Sequence, residues 1–230
     1  MPQQNGAKKT RTDQVYERIR ADIFAARLQP GARLKFPALC AAYDTSVGVA
    51  REALARLASE RLVRPQAHQG YTVAELSEEE LTDLTMARVE IEATTFRQAV
   101  VHGDMAWEGD IVAAHHVLSR IDTRNASEET LEEWYTAHEV FHRALLQGCP
   151  SRRMVGIALG LRDEAELYRR WAGPLGNEKD RDVAGEHRAI LDAALARDAV
   201  LAARLLRDHI AHTTQVLISG AESSGALTRE

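Results

Sequence analysis

The chain has 230 residues, 45% apolar and 27% charged, enough to bury one large core or two small ones. Only 5% of the residues are aromatic and the net charge is −5, an ordinary balance for a helix-rich globular protein. No long apolar run and no cleavable leader pattern follow Met1, which argues against a membrane span or export and makes the cytoplasm the expected location.

The charge is unevenly divided. Residues 1 to 76 carry 12 Lys and Arg against 7 Asp and Glu, whereas residues 77 to 230 carry 17 against 27. A basic front module on an acidic body suits a protein whose N-terminal part meets phosphates. Cys40 and Cys149 fall in different expected domains and read as two unpaired thiols.

Residues 1–11 are polar and aperiodic and are expected to form a disordered tail. From Asp13 to Arg27, Val15, Ile19, Ile23 and Phe24 form one apolar helical face, and Pro30-Gly31 turns the chain. Leu34, Leu39 and Ala42 suggest a short second helix, which the Asp44-Thr45-Ser46 stretch breaks. Ser46 is a suitable N-cap for a third helix running to Val63, with Ala50, Ala53, Leu54 and Leu57 inward and Arg51, Ala55, Arg56 and Ser59 outward.

Two helices joined by a short turn, the second carrying arginine near its start, is how a helix-turn-helix presents a reading helix to the major groove. Leu62 to Arg64 and Tyr71 to Val73, flanking Gln69-Gly70, read as a two-stranded wing. Residues 12–76 are thus expected to form a winged helix-turn-helix domain.

Ser77 with Glu80 has the capping-box spacing and opens a second, all-helical domain expected over 77–219. Its six helices are expected near 78–102, 104–121, 127–148, 151–172, 180–197 and 198–218, with a flexible tail at 220–230. The fold class is all-α, a winged helix-turn-helix followed by a six- to seven-helix bundle.

Four of the nine histidines have suggestive positions. His138 and His142 are four residues apart on one helix, and His187 and His209 lie on later helices among apolar neighbours. Imidazoles pointing into a bundle suit a borderline divalent metal, zinc first and nickel next. His68, His102, His115, His116 and His212 read as structural.

The segment His138 to His142 also spells HEVFH, the H-E-x-x-H pattern of zinc peptidases, in which Glu139 would be the general base. Glu164 or Glu166 could supply a third ligand. That alternative, a zinc-dependent hydrolase, predicts a strand-bearing catalytic domain and gives no role to the winged helix, His187 or His209.

PGARL at 30 to 34, REALARL at 51 to 57, ERLV at 60 to 63 and QGYTV at 69 to 73 together resemble the winged helix of the GntR family of bacterial transcription regulators. EEELTDLTMARVEIEA, FHRALL at 141 to 146, EHRAIL at 186 to 191 and RDAVLAARLLRDHI at 197 to 210 resemble the FCD effector-binding domain of its FadR-like subfamily. The resemblance spans about residues 13 to 215 and implies a homodimer, not an enzyme, on double-stranded operator DNA. Arg51 is then the first DNA contact, with Ser46, Gly48, Arg56 and Gly70 as further contacts to phosphate or at the wing.

Two departures from the family pattern stand out. Val47 and Gln69 occupy positions where the family usually has a base-reading and a wing arginine. In metal-binding members an Asp and three His hold the ion; His142, His187 and His209 match the histidines, and His138 stands where the Asp is usual. The resemblance further implies that the metal and a nearby arginine, here Arg88 beside Glu92, bind the carboxylate of a small organic-acid effector.

Overall fold

The computed structural model describes residues 9–66, 70–75, 77–123, 126–172 and 181–224. The chain divides into two compact units, Met1–Leu76 and Ser77–Glu230.

In the first unit, helix α1 (Arg11–Phe24) begins earlier than its apolar periodicity indicated. The Asp13 amide donates to Thr10 Oγ1 at 3.1 Å, and the Thr10 amide donates back to Asp13 Oδ2 at 3.0 Å. This reciprocal pair satisfies two otherwise orphaned donors, so the expected tail stops short of Arg11. Val15, Ile19 and Ile23 are fully buried along the inner face.

Strand β1 (Arg33–Leu34) follows, then α2 (Phe36–Tyr43), which ends at Asp44 in the left-handed region at φ 48°. Leu34 therefore belongs to a strand and not to the second helix. Helix α3 (Val47–Ser59) is capped by the Ser46 hydroxyl, which accepts the Val49 amide at 3.4 Å. Its Ala50, Ala53, Leu54 and Leu57 are fully buried, and α3 packs chiefly on α1. Truncating Leu54 or Leu57 to Ala would cost about 2–5 kcal/mol.

Strands β2 (Val63–Gln66) and β3 (Gly70–Val73) form the wing. The sheet has three strands, not two, in the order β1-β3-β2 with both pairings antiparallel. Gly70 sits at φ +93°, and a Cβ there would lie 2.9 Å from the Leu34 carbonyl oxygen. Glycine is what lets β3 pass so close to β1. Gln69 lies outside the described residues.

The second unit contains, among its described residues, six helices: α4 (Glu78–His102), α5 (Met105–Ser119), α6 (Glu128–Gln147), α7 (Arg152–Ala172), α8 (Val183–Leu195) and α9 (Ala199–Ser224). Ser77 caps α4 by accepting the Glu80 amide at 3.3 Å. The last helix continues through Ser224, past the point where small polar residues suggested a tail. Helices α4 and α9 form the most extensive pairing, α5 packs on α6, and α7 packs on α4.

The core of this unit joins Phe96, Ile111, Phe141, Leu145, Ile190 and Ile210. Trp107 wedges into one end, its indole Nε1 donating to the Ala144 carbonyl at 2.9 Å. A Cβ at Gly103 or Gly148 would collide with that ring, at 2.2 and 2.9 Å. Both cysteines are free thiols, Cys149 buried and Cys40 half-buried. Among the described residues no helix is long and apolar enough to cross a membrane.

Candidate functional site

Helix α6 carries His138 and His142 one turn apart on its inner face, because residues four apart share a side of a helix. His187 on α8 and His209 on α9 meet them from the other side. One ring nitrogen from each of the four lies within 4.8 Å of the others, and all four residues are buried. Nε2 of His142 and Nε2 of His187 are 3.2 Å apart.

Burial, reinforced by the guanidiniums of Arg169 and Arg162, pushes His138 and His142 well below the ordinary imidazole value. Burial and the neighbouring His209 do the same to His187. His209 is also lowered by burial, with Glu186 opposing the shift. The neutral rings keep a lone pair each, which is the form a metal needs.

The surroundings fix two tautomers. His209 Nδ1 donates to Glu186 Oε2 at 2.7 Å, leaving the Nε2 lone pair free to ligate. Glu186 is itself held by Arg181, Nε to Oε1 at 2.8 Å. Nδ1 of His142 is buried without a hydrogen-bond partner among the described residues.

His138 differs. A guanidinium nitrogen of Arg169 donates to its Nδ1, so that lone pair is already engaged and Nε2 carries the proton. The donor set of His142, His187 and His209 fits a divalent ion as it stands. Trp134, one turn before His138, stacks beside it with ring centroids 4.8 Å apart.

Arg88 lies at this cluster and is not on the surface. Its Nε donates to Glu92 Oε1 at 2.6 Å, and Arg162 Nη1 donates to Glu92 Oε2 at 2.9 Å. The Glu92 side chain is 1% exposed, and although burial alone would raise its pKa, the two guanidiniums lower it. Glu166, likewise buried, is clamped by Arg169 and Arg170.

Arg88, Arg162 and Arg169, with His138, His142 and His209, line a cavity of about 30 Å³. That is room for about two waters. Arg162 Nε, in the same cavity, is a buried donor with no partner among the described residues.

Sequence reasoning missed Arg162, Arg169 and Glu186. Arg162 and Arg169 are seven residues apart, hence on one face of α7, which was the available signal. Glu186 reaches across to another helix and left none.

HEVFH does not form a peptidase site. The Glu139 carboxylate accepts Arg143 Nε at 2.8 Å, and Arg143 also binds Asp163. Glu166 is occupied by arginines, and the three strands found among the described residues belong to the first unit.

At the other candidate site, Ser46, Gly48 and Arg51 lie together on the exposed start of α3. The Arg51 guanidinium stands over the Phe36 ring at 5.4 Å, and Phe36 in turn meets Tyr71 of the wing edge-on at 6.4 Å. Ser46 serves as the helix cap. Space beside Gly48 is open, the nearest atom to a Cβ there being Ser46 Oγ at 3.9 Å. Arg56 turns toward α1, donating to Asp13 at 2.7 Å and stacking over Tyr16.

Residues 11–73 match the family described as "Bacterial regulatory proteins, gntR family", and residues 83–212 match the FCD domain. The HTH-type transcriptional repressor GlaR of Escherichia coli is 37% identical over 85% of this chain and 90% of its own length. The regulator BphR of Paraburkholderia xenovorans is 37% identical over 88% of this chain and 83% of its own. A GntR regulator from Rhodococcus shares the fold, with TM-score 0.70, 24% identity and coverage of 92% of this chain and 99% of that one. The chain belongs to the GntR family and is a DNA-binding transcription regulator, not an enzyme, with an FCD domain behind its winged helix-turn-helix.

Proposed function

We propose that operator affinity is controlled by a small organic acid bound beside a divalent metal in the C-terminal unit. The observation that carries this is Arg162, whose buried Nε has no partner among the described residues and which lines one cavity with His138, His142 and His209. A buried donor left unpaired costs about 1–3 kcal/mol, so an acceptor arriving there is strongly favoured. A carboxylate meets the requirement, with Arg88 and Arg169 as further donors.

His142, His187 and His209, with His138, would hold zinc or another borderline ion. When bound, the metal supplies a fixed positive charge and an open coordination position for the acid. Since the cavity holds only about two waters, the acid must displace a side chain. Arg169 is suited to that movement, because leaving His138 both opens space and frees a lone pair.

The chain would act as a homodimer, since a two-fold protein suits a two-fold operator. The α5–α6 face offers exposed Val117 and Val140 over small alanines, with Arg120 among the carboxylates of Asp110, Glu129, Glu132 and Glu133. Arg51 would be the principal DNA contact, with Ser46, Gly48, Arg56 and Gly70 contributing at phosphates or the wing.

The test is titration of the protein into DNA from upstream of its own gene at about 0.15 M salt, beside unrelated DNA, because phosphate binding alone is salt-driven. A panel of mono- and dicarboxylates, with zinc or chelator, should include one that changes specific affinity at least fivefold. If none does so, effector control of this kind is refuted. Light scattering of Val140→Glu, expected to be monomeric, tests the dimer face.

A further inference from the structure

Among the described residues of the first unit, Val47 is the one large apolar side chain that stands exposed, at 46% of its surface. It occupies the first turn of α3, next to Gly48 and one turn before Arg51. It supports neither the cap, which Ser46 supplies, nor the α1–α3 core, which Ala50, Ala53, Leu54 and Leu57 form. A β-branched residue there also gains nothing from helix propensity.

The neighbours suggest what would cover it. Residues 47, 51 and 55 repeat every four positions along one exposed stripe, giving Val47, Arg51 and Ala55. Glu52 is drawn aside by Thr12 and Arg56 by Asp13, both on α1. The stripe thus presents an apolar patch, a guanidinium and a small residue, with open space beside Gly48 for close approach.

In the major groove the apolar feature that distinguishes one base from another is the 5-methyl group of thymine. We infer that Val47 is a specificity-determining residue that reads a thymine methyl in each half-site, one turn of helix from the base or phosphate held by Arg51. This rests on the proposal that α3 is the reading helix.

The experiment selects binding sites from a randomised DNA pool with the full-length protein. Each thymine of the selected site is then replaced singly by uracil, which removes only the methyl. One thymine per half-site should lose about fourfold in affinity, the worth of one buried methyl, and Val47→Ala should abolish that difference. Val47→Arg should reselect guanine at the same position, since arginine pairs with guanine O6 and N7. If sites are enriched but no thymine shows a Val47-dependent methyl effect, this inference is overturned while the reading role of α3 stands. If Arg51→Ala leaves the selected sequences and their affinities unchanged, the reading role of α3 fails and takes this inference with it.

Discussion

Nδ1 of His209 and Oε2 of Glu186 meet across two helices at 2.7 Å. The carboxylate can only accept, so it fixes the proton on Nδ1 and turns the Nε2 lone pair toward the other three imidazoles. Glu186→Gln is expected to weaken zinc binding about 10- to 100-fold, as loss of such orienting partners does. Competition titration against a chromophoric chelator measures it, and an unchanged affinity would remove Glu186 from the site.

Adding zinc to chelator-stripped protein should raise its unfolding free energy by about 2.7 kcal/mol at a hundredfold excess over the dissociation constant. His142→Ala should erase the effect. Protons compete with metal for the same lone pairs, and burial holds these rings well below the ordinary value of 6.5. Because the shift is downward, the neutral ligating form persists at pH 6.5, and zinc-dependent stabilisation should fade only as the pH falls further. Melts with and without zinc between pH 8 and 5 check this, because rings charged at neutrality would make the stabilisation fade already between pH 8 and 7.

Glu92 serves two guanidiniums at once, from α4 and α7. Glu92→Ala leaves both without their counter-charge and should cost about 3–5 kcal/mol in urea unfolding. A loss below about 1 kcal/mol would mean the arginines find other acceptors or water.

Asp13 is held down to about 2 by the Thr10 hydroxyl, the Arg56 guanidinium and the Thr10 amide. A carboxyl depressed in the folded state stabilises above its ordinary value of 3.8, and that contribution is lost as the pH falls toward 2. The N-terminus of α1 should therefore fray in that window, and Asp13→Asn should flatten the pH dependence. Amide exchange of the first helical turn, compared between the two proteins, provides the check.

Arg51 and Arg56 should separate cleanly. Arg51→Ala is expected to weaken operator binding about tenfold or more, the worth of one base or phosphate contact. Arg56→Ala removes the Asp13 pair and the Tyr16 contact, so it should lower the melting temperature more than DNA affinity. Fluorescence anisotropy and a thermal melt on each variant decide the matter.

What could be foreseen from residues alone followed the range of the interactions. The α3 face was legible because Ala50, Leu54 and Leu57 repeat with the helical period, and the four histidines because two share a turn and two sit in family motifs. The strand Arg33–Leu34 was not, since two residues have no periodicity and it exists only through pairing with Thr72 and Tyr71. The start of α1 was hidden for another reason: the Thr10–Asp13 box is polar and resembles the tail before it. Arg162 and Arg169 show their shared face only through a seven-residue spacing, and what that face and Glu186 meet depends on which helices pack together.

Trp134 lies against His138 of the histidine cluster, while Trp107 is locked between Gly103 and Gly148 at one end of the bundle core. An indole's emission answers to the ring it touches, and an imidazole that takes up a proton or a cation becomes a stronger quencher. Trp134 is thus an intrinsic optical probe beside the proposed metal and effector site, read against the emission of Trp107 and of Trp171 at the end of α7. If that site fills, the change should be visible by light, with no label attached.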